Sequence, residues 1–378
     1  MNSYDAIVIG GGIAGLSVAS SLAHRLRVLV LEAESSLGYH STGRSGAVFG
    51  RSYGNDVILK LNELSSAFFE APPSNFTDGT LFRQRPWLIV ARADQVEAST
   101  RWQKLATRLE VIRAKDIPEQ SGGLLRPGYA EFGYLDRNCG DLDVHALNEG
   151  YRRLLLACGG QIVLNARVQA IERAGSRWNV ETAAGCFSSP LVVNASGGWA
   201  DSIAGMMGLD PIGIAPLRRS AALVRAPDGV DVARLPVILD ADEQFYFKPE
   251  AGKLMISSAD ETPCVPCDVQ AEEIDIAHAV DRYERATGQN VRRIDHHWAG
   301  MRTFAPDRTP VVGFDPRCEG LLWVAGQGGY GIQIAPALAQ LAAGSVFGEP
   351  VDARLAAALD PARLIGAGAH SEDSPDRA

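Results

Sequence analysis

Largely apolar runs at 4–9, 27–31, 191–195 and 321–325 have the pattern of strands buried on both faces of a parallel sheet. Between the first two, Ile13, Leu16, Ala19, Ser20 and Ala23 recur at helical spacing. That predicts a helix over 13–24 and a strand–helix–strand unit at the head of the sheet. Further strands are expected at 162–168 and 178–182. Three more, at 217–225, 244–248 and 253–257, are separated by turn residues, as in an antiparallel sheet. Helices are expected at 59–69, 144–157, 270–287 and 331–347. Residues 83–140 read as short strands around a helix near 95–109. The stretch 37–54, rich in Gly, Ser and Thr, reads as a loop lying against a ligand. The small polar tail from Gly366 predicts disorder.

Length and composition narrow the class. A chain of 378 residues is enough for about two domains, and 46% apolar with 21% charged residues is ordinary for a soluble globular protein. A formal charge of -9 argues against nucleic acid, and Arg218-Arg219 and Arg292-Arg293 are isolated basic pairs. The segment 6–23 is interrupted by Gly10, Gly11, Gly12 and Gly15 and preceded by Asn2-Ser3-Tyr4-Asp5, so it reads neither as a signal peptide nor as a membrane span. With six scattered cysteines, this points to the cytoplasm, with peripheral membrane attachment left open. Cys264-Val-Pro-Cys267 falls in a Pro-bounded loop without a second pair, and the adjacent His296-His297 would point to opposite faces were they on a strand, so no metal site is expected. Gly-x-Ser-x-Gly is absent.

The chemistry begins in the first turn. Gly10-x-Gly12-x-x-Gly15 lies between strand and helix, and Glu32 ends the next strand. Gly10 permits the turn, Gly12 lets the backbone approach a pyrophosphate, and Gly15 allows helix and strand to pack closely. The helix N-terminus offers unpaired N–H groups to the phosphates, and Glu32 can accept from ribose hydroxyls. This is a dinucleotide site. A second glycine cluster, Gly326-Gln-Gly328-Gly329-Tyr330-Gly331, also joins strand to helix, but no later strand ends in an acid. A loop whose N–H groups approach a flavin is favoured there over a second nucleotide site. The expected fold is α/β: a discontinuous Rossmann-like FAD-binding domain (1–82, 140–212, 295–365) with an inserted α+β domain of antiparallel sheet for substrate (83–139, 213–294), followed by the tail 366–378.

The N-terminal unit, Gly38-Tyr-His-Ser-Thr-Gly-Arg-Ser45, Val192-Val-Asn-Ala-Ser-Gly-Gly-Trp199, Trp298-Ala-Gly-Met-Arg302 and Gly328-Gly-Tyr-Gly-Ile-Gln333 together resemble the D-amino-acid oxidase superfamily. Within it the pattern most resembles the bacterial catabolic D-arginine dehydrogenases. The likeness runs to about residue 365. It implies FAD held by Ile13, Ala14 and Ala33 beside the glycines and Glu32, and by Ser41, Thr42, Arg44, Ser45, Gly46 and Ala47 along the loop. It further implies Val168 at the adenine, Ser196, Gly197, Trp199 and Gly300 along the cofactor, and Gly328, Gly329, Tyr330, Gly331, Ile332 and Gln333 over the isoalloxazine. Some relatives attach flavin through a cysteine near the substrate arginine. Gly300 stands there in this chain, which implies noncovalent FAD.

An amino-acid oxidoreductase must hold a carboxylate while the Cα–H faces flavin N5. Arg302, flanked by Trp298 and Phe304, is the expected fork for that carboxylate. Tyr53, Tyr246 and Arg219 resemble further pocket residues, with Arg218 on the opposite strand face. Val237, Gly329 and Gln333 are expected in the pocket by the same likeness. The departures are informative: Trp87 stands where the D-arginine enzymes carry a glutamate, Val48 replaces a histidine and Gly50 a threonine. Without that glutamate a cationic side chain has no evident partner, so an apolar or aromatic substrate is expected rather than arginine. The expected reaction is oxidation of a D-amino acid to the imino acid, with oxygen or a quinone as final acceptor and no evident general base. N-methyl amino acids, glycine and 2-hydroxy acids are alternatives, as is a flavin-bearing subunit without turnover of its own.

Overall fold

The computed structural model describes residues 2–105 and 108–366. The expected disordered tail lies, beyond Gly366, outside the described residues.

The apolar runs assemble as a six-stranded sheet in the order Gln161–Val163, Val28–Leu31, Ala6–Ile9, Leu191–Asn194, Leu321–Ala325, Val311–Phe314. The first five strands are mutually parallel and the last is antiparallel. Strand Ala6–Ile9 is buried throughout, since helices cover one face and a second layer the other. Helix Ile13–Leu22 packs against helices Val144–Ala157 and Gly331–Phe347. The turn between strand and helix depends on Gly10, whose φ is +110°. A Cβ there would strike the Ala195 carbonyl, with its carbon at 2.9 Å and Ser196 Cα at 3.2 Å. Ala195 directly follows the neighbouring strand Leu191–Asn194 and donates its N–H to the Ile9 carbonyl (3.0 Å), so the phosphate turn is wedged against backbone held by the sheet.

The larger sheet has ten strands. Its path runs Gln327–Gly328, Ile294–Phe304, Ala215–Val224, Lys253–Ser257, Tyr246–Glu250, Val237–Asp240, Trp87–Ala91, Phe132–Asp136, Glu110–Arg113, with Thr262–Pro263 paired to Ala215–Val224. Ladder register sets which side chains share a face. Arg219 pairs with Gly300 and Leu217 with Arg302, Tyr246 pairs with Leu239, and Val237 lies beside Trp87 in the sheet's parallel pair of strands. Alternation therefore puts Arg302, Gly300, Trp298, Arg219, Tyr246, Val237 and Trp87 on one face. Arg218 takes the other face, where it pairs with Asp275 (3.0 Å) and Glu272 at the start of helix Glu273–Thr287.

Several expected elements change. The single strand at 162–168 is two, Gln161–Val163 and Val168–Ala174. Asn165, at φ +54°, and Ala166 instead donate their N–H groups to the carbonyls of Glu34 (3.0 Å) and Glu32 (2.8 Å), wrapping the chain around the acid. The helix near 95–109 is Val96–Gln103, and residues 106–107 lie outside the described residues. The loop at 37–54 contains a short strand, Val48–Phe49, paired to Gly140–Leu142. Strands Gly185–Ser189, Val237–Asp240 and Ile294–Phe304 and helix Ala353–Leu359 were not expected. No helix among the described residues is long and apolar enough to cross a membrane.

Candidate active site

A cavity of about 330 Å³ runs between the six-stranded and the ten-stranded sheets. One end is lined by Gly10, Gly12, Ile13, Ala14, Glu32, Ala33 and Val168. The middle is lined by Ser41, Thr42, Arg44, Ser45, Gly46, Ser196, Gly197 and Trp199, and the far end by Gly300, Arg302, Gly328, Gly329, Gly331 and Ile332. These residues reach one channel from seven separate segments. A smaller pocket of about 50 Å³ adjoins the far end, lined by Ala47, Val48, Tyr53, Trp87, Arg219, Val237, Glu243, Tyr246, Arg302, Gly329 and Gln333.

The channel's donor and acceptor set fits a dinucleotide. Helix Ile13–Leu22 has no side-chain cap on Gly12, and its first N–H, from Ile13, donates to Thr42 Oγ1 at 3.0 Å. The following amides sit at the positive end of the helix dipole, where a diphosphate would lie. Glu32 accepts from the N–H of Gly11 (2.7 Å) and of Glu34 (2.9 Å), which fixes its carboxylate at the channel wall. Its remaining lone pairs can take ribose hydroxyls. The loop through 38–47 is tied to the large sheet. Lys248 Nζ donates to the Gly46 carbonyl (2.7 Å), Trp298 Nε1 to that of Arg44 (3.2 Å), and Arg44 to those of Val269 (2.8 Å) and Ala299 (3.2 Å) as well as Asp268. Arg44 thus borders the channel, but its guanidinium anchors the loop rather than pointing at a cofactor. Gly15 does not line the channel; it lies beneath the turn, against the Gly10 carbonyl. Helix Gly331–Phe347 also begins at the channel without a side-chain cap, so its N–H groups face the same space.

Arg302 closes the far end. Its guanidinium has no hydrogen-bonded or ionic acceptor among the described residues, although the side chain is half-buried between the channel and the smaller pocket. Arg219 lies beside it, held by the Asp260 carbonyl (2.7 Å) and Glu261 (3.1 Å), its charge opposed by burial and then by Arg302. The Arg219 guanidinium carbon stands 6.0 Å from the Tyr246 ring centroid. A Cβ on Gly329 would come within 2.7–3.0 Å of Nη1, Cζ and Nε of Arg302. The glycine loop therefore fits flat against the guanidinium. Gly329→Ala is expected to push that group aside and lower kcat/KM at least about tenfold with FAD content unchanged, because the displaced atoms are side chain and not fold. Equal kcat/KM in the two proteins would show that the guanidinium's placement is immaterial.

Trp87 fills the space beside Gly50. A Cβ on Gly50 would meet Cη2, Cζ3 and Cζ2 of the indole at 2.5, 2.8 and 3.0 Å. Trp87 and Gly50 are thus a matched pair, and a threonine at 50 could not coexist with this indole. Gly50 donates its N–H to Gln333 Oε1 (2.9 Å), orienting the amide. Gln333 Nε2 and Trp87 Nε1 are buried donors without acceptors among the described residues. Tyr53 packs on Trp87 (centroids 5.7 Å) and on Tyr330 (5.2 Å), which lines neither the channel nor the smaller pocket.

Leu239, Ala259 and Glu243 line the smaller pocket and were missed from the sequence, and the last of them is ionisable. Glu243, in the turn between strands Val237–Asp240 and Tyr246–Glu250, accepts from the Tyr53 hydroxyl at 2.6 Å. The pocket therefore contains a carboxylate despite the tryptophan at 87, contrary to the expectation that it had lost its only one. Burial, then the Glu243 charge, push the Tyr53 hydroxyl well above its ordinary range, so it stays protonated. Cys264 and Cys267 lie in a loop after strand Thr262–Pro263, and no metal-ligating cluster occurs among the described residues.

The profile of FAD dependent oxidoreductases, the DAO family, matches residues 5–344, and the chain belongs to that family. FAD is therefore its cofactor, and it is an enzyme, an oxidoreductase. Among curated relatives, glycine oxidase from Bacillus licheniformis is 25% identical, with 92% of this chain and 94% of the relative covered. Among solved structures, glycine oxidase from Geobacillus kaustophilus superposes with a TM-score of 0.81 at 21% identity, over 93% of this chain and 96% of that one. L-proline dehydrogenase from P. horikoshii does so with 0.83 at 19%, over 96% and 98%. At these identities the structures speak for the fold.

Proposed function

We propose that the protein oxidises the Cα–N bond of an amino acid, D-configured and with a small apolar or aromatic side chain, to the imino acid, which water converts to the 2-oxo acid and ammonia. FAD, held noncovalently, supplies the hydride acceptor at N5. The observation that carries the reading is Arg302: a guanidinium without an acceptor, half-buried at the end of the cofactor channel. Its fork suits a carboxylate through two parallel hydrogen bonds. Tyr246 and Arg219 flank that carboxylate, and Tyr53 lines the same pocket. The D configuration and the likeness to D-arginine dehydrogenases rest on the motifs alone. Oxygen and a quinone both remain chemically adequate acceptors.

A second reading, glycine or an N-methyl amino acid, is favoured by the pocket's size: Trp87 over Gly50 leaves only about 50 Å³. A ladder of glycine, sarcosine and both enantiomers of alanine, leucine and phenylalanine separates the two, with each decarboxylated amine as control. Turnover of carboxylate-bearing members only, with D over L, is the expected result. Equal turnover of the amines would remove Arg302 from substrate binding. Trp87→Ala should move the optimum toward larger side chains, by about tenfold or more in relative kcat/KM, since one methylene in an apolar pocket is worth about 1–3 kcal/mol. An unmoved optimum would mean that the indole is core and not pocket wall.

A further inference from the structure

The pocket holds one guanidinium without an anion and one carboxylate without a cation. Glu261 is taken by Arg219 (3.1 Å) and Arg308 (2.8 Å), whereas Glu243 has no ionic partner among the described residues and only the Tyr53 hydroxyl to hold it. Arg302 is the complementary case. Both line the same small pocket, with Tyr53 between them and within the field of each. A zwitterionic amino acid carries the matching pair of charges, and its carboxylate on Arg302 leaves its ammonium to be answered.

We propose that Glu243, acting through the Tyr53 hydroxyl, accepts the proton that the substrate ammonium must lose before hydride transfer. This rests on the amino-acid reading above. One N–H bond of the ammonium breaks and leaves its electron pair on nitrogen. The proton passes to the Tyr53 oxygen while the Tyr53 proton passes to Glu243 Oε2. One proton moves from substrate to carboxylate, no electron is transferred, and the neutral amine is the species then oxidised. Tyr53 suits a relay because it resists ionisation, so it hands a proton on without holding negative charge.

The turn is built to hold the carboxylate in place. Glu243 sits at φ +58°, and its N–H donates to the Asp240 carbonyl (2.9 Å). Asp240 is fully buried, and its side chain accepts from the N–H groups of Asp242 (3.0 Å) and Gln244 (3.2 Å). The ionisable groups around Glu243 are Tyr53, Tyr330, Arg302 and Arg308 from the facing elements, and Asp240 and Asp242 from its own turn.

The test is the anaerobic rate of flavin reduction by one good amino-acid substrate, from about pH 6 to about pH 11, in FAD-loaded wild type, Glu243→Gln, Glu243→Asp and Tyr53→Phe. Glu243→Gln and Tyr53→Phe should shift the rising limb alkaline by about one unit or more. Each should then be about tenfold or more slower near neutrality and converge on wild type where the free amine prevails, with Glu243→Asp intermediate. A limb at the wild-type pH in both variants, whether or not their rates are uniformly lower, would overturn the relay while leaving the amino-acid reading intact. A wild type reduced by no amino acid at any pH would overturn that reading itself.

Discussion

Arg302→Ala is expected to lower kcat/KM for any carboxylate substrate by roughly 30-fold to several thousand-fold, mostly through KM, while FAD stays bound. The range follows from the about 2–5 kcal/mol lost when one partner of a buried, hydrogen-bonded charge pair is truncated. Here the partner left behind would be the substrate carboxylate, beside an Arg219 already engaged by the Asp260 carbonyl and Glu261. Arg302→Lys should recover only part of the loss, because an ammonium is a point charge and cannot present two parallel N–H groups. Steady-state kinetics with flavin content measured in parallel checks both. An unchanged KM in Arg302→Ala would place the carboxylate elsewhere.

Gly10→Ala should act on the other end of the channel. Its backbone, at φ +110°, costs a side chain about 1–3 kcal/mol in strain alone, and the new Cβ would collide with the Ala195 carbonyl directly after the adjacent strand. Backbone held by the sheet cannot yield as a side-chain tip can, so the phosphate turn must move instead. FAD affinity should fall by at least about 100-fold in the folded protein, read as visible absorbance retained after gel filtration, with far-ultraviolet circular dichroism reporting the fold. A variant that keeps full flavin content would show that this turn does not set the diphosphate site.

The opening strand–helix–strand unit was legible because its signals are local: apolar runs, glycines at a turn and an acid at a strand end all lie within residues 4–32. Helices Val144–Ala157 and Gly331–Phe347 and strand Lys253–Ser257 were equally plain, each carried by continuous apolar spacing. Strand Ile294–Phe304 was not, although it bears Arg302. Its channel face carries Trp298, Gly300 and Arg302, and Asp295 and the two histidines open the strand, so hydrophobic alternation is broken by function. Strand Val237–Asp240 is four residues behind a proline, too short to register a period.

Glu243 was hidden for a different reason. It belongs to the acidic turn Asp240-Ala-Asp-Glu243, whose composition is that of any solvated turn. Only the pairing of strand Val237–Asp240 with Trp87–Ala91, 150 residues earlier in the chain, carries that turn to Tyr53. A usable signal was the placement of a charged turn immediately before Tyr246, itself a pocket residue. Arg44 shows the converse: the motif located it at the channel, but not the hydrogen bonds to Val269 and Ala299 that hold its guanidinium.

The most direct measurement is anaerobic addition of a panel of D- and L-amino acids, glycine and N-methyl amino acids to the FAD-loaded protein while the flavin absorbance is followed. Prompt bleaching by at least one member, with acid precipitation releasing the flavin into the supernatant, is what Arg302 at the end of this channel predicts. A yellow protein that no member of the panel bleaches would contradict it and leave a flavin carrier without amino-acid turnover.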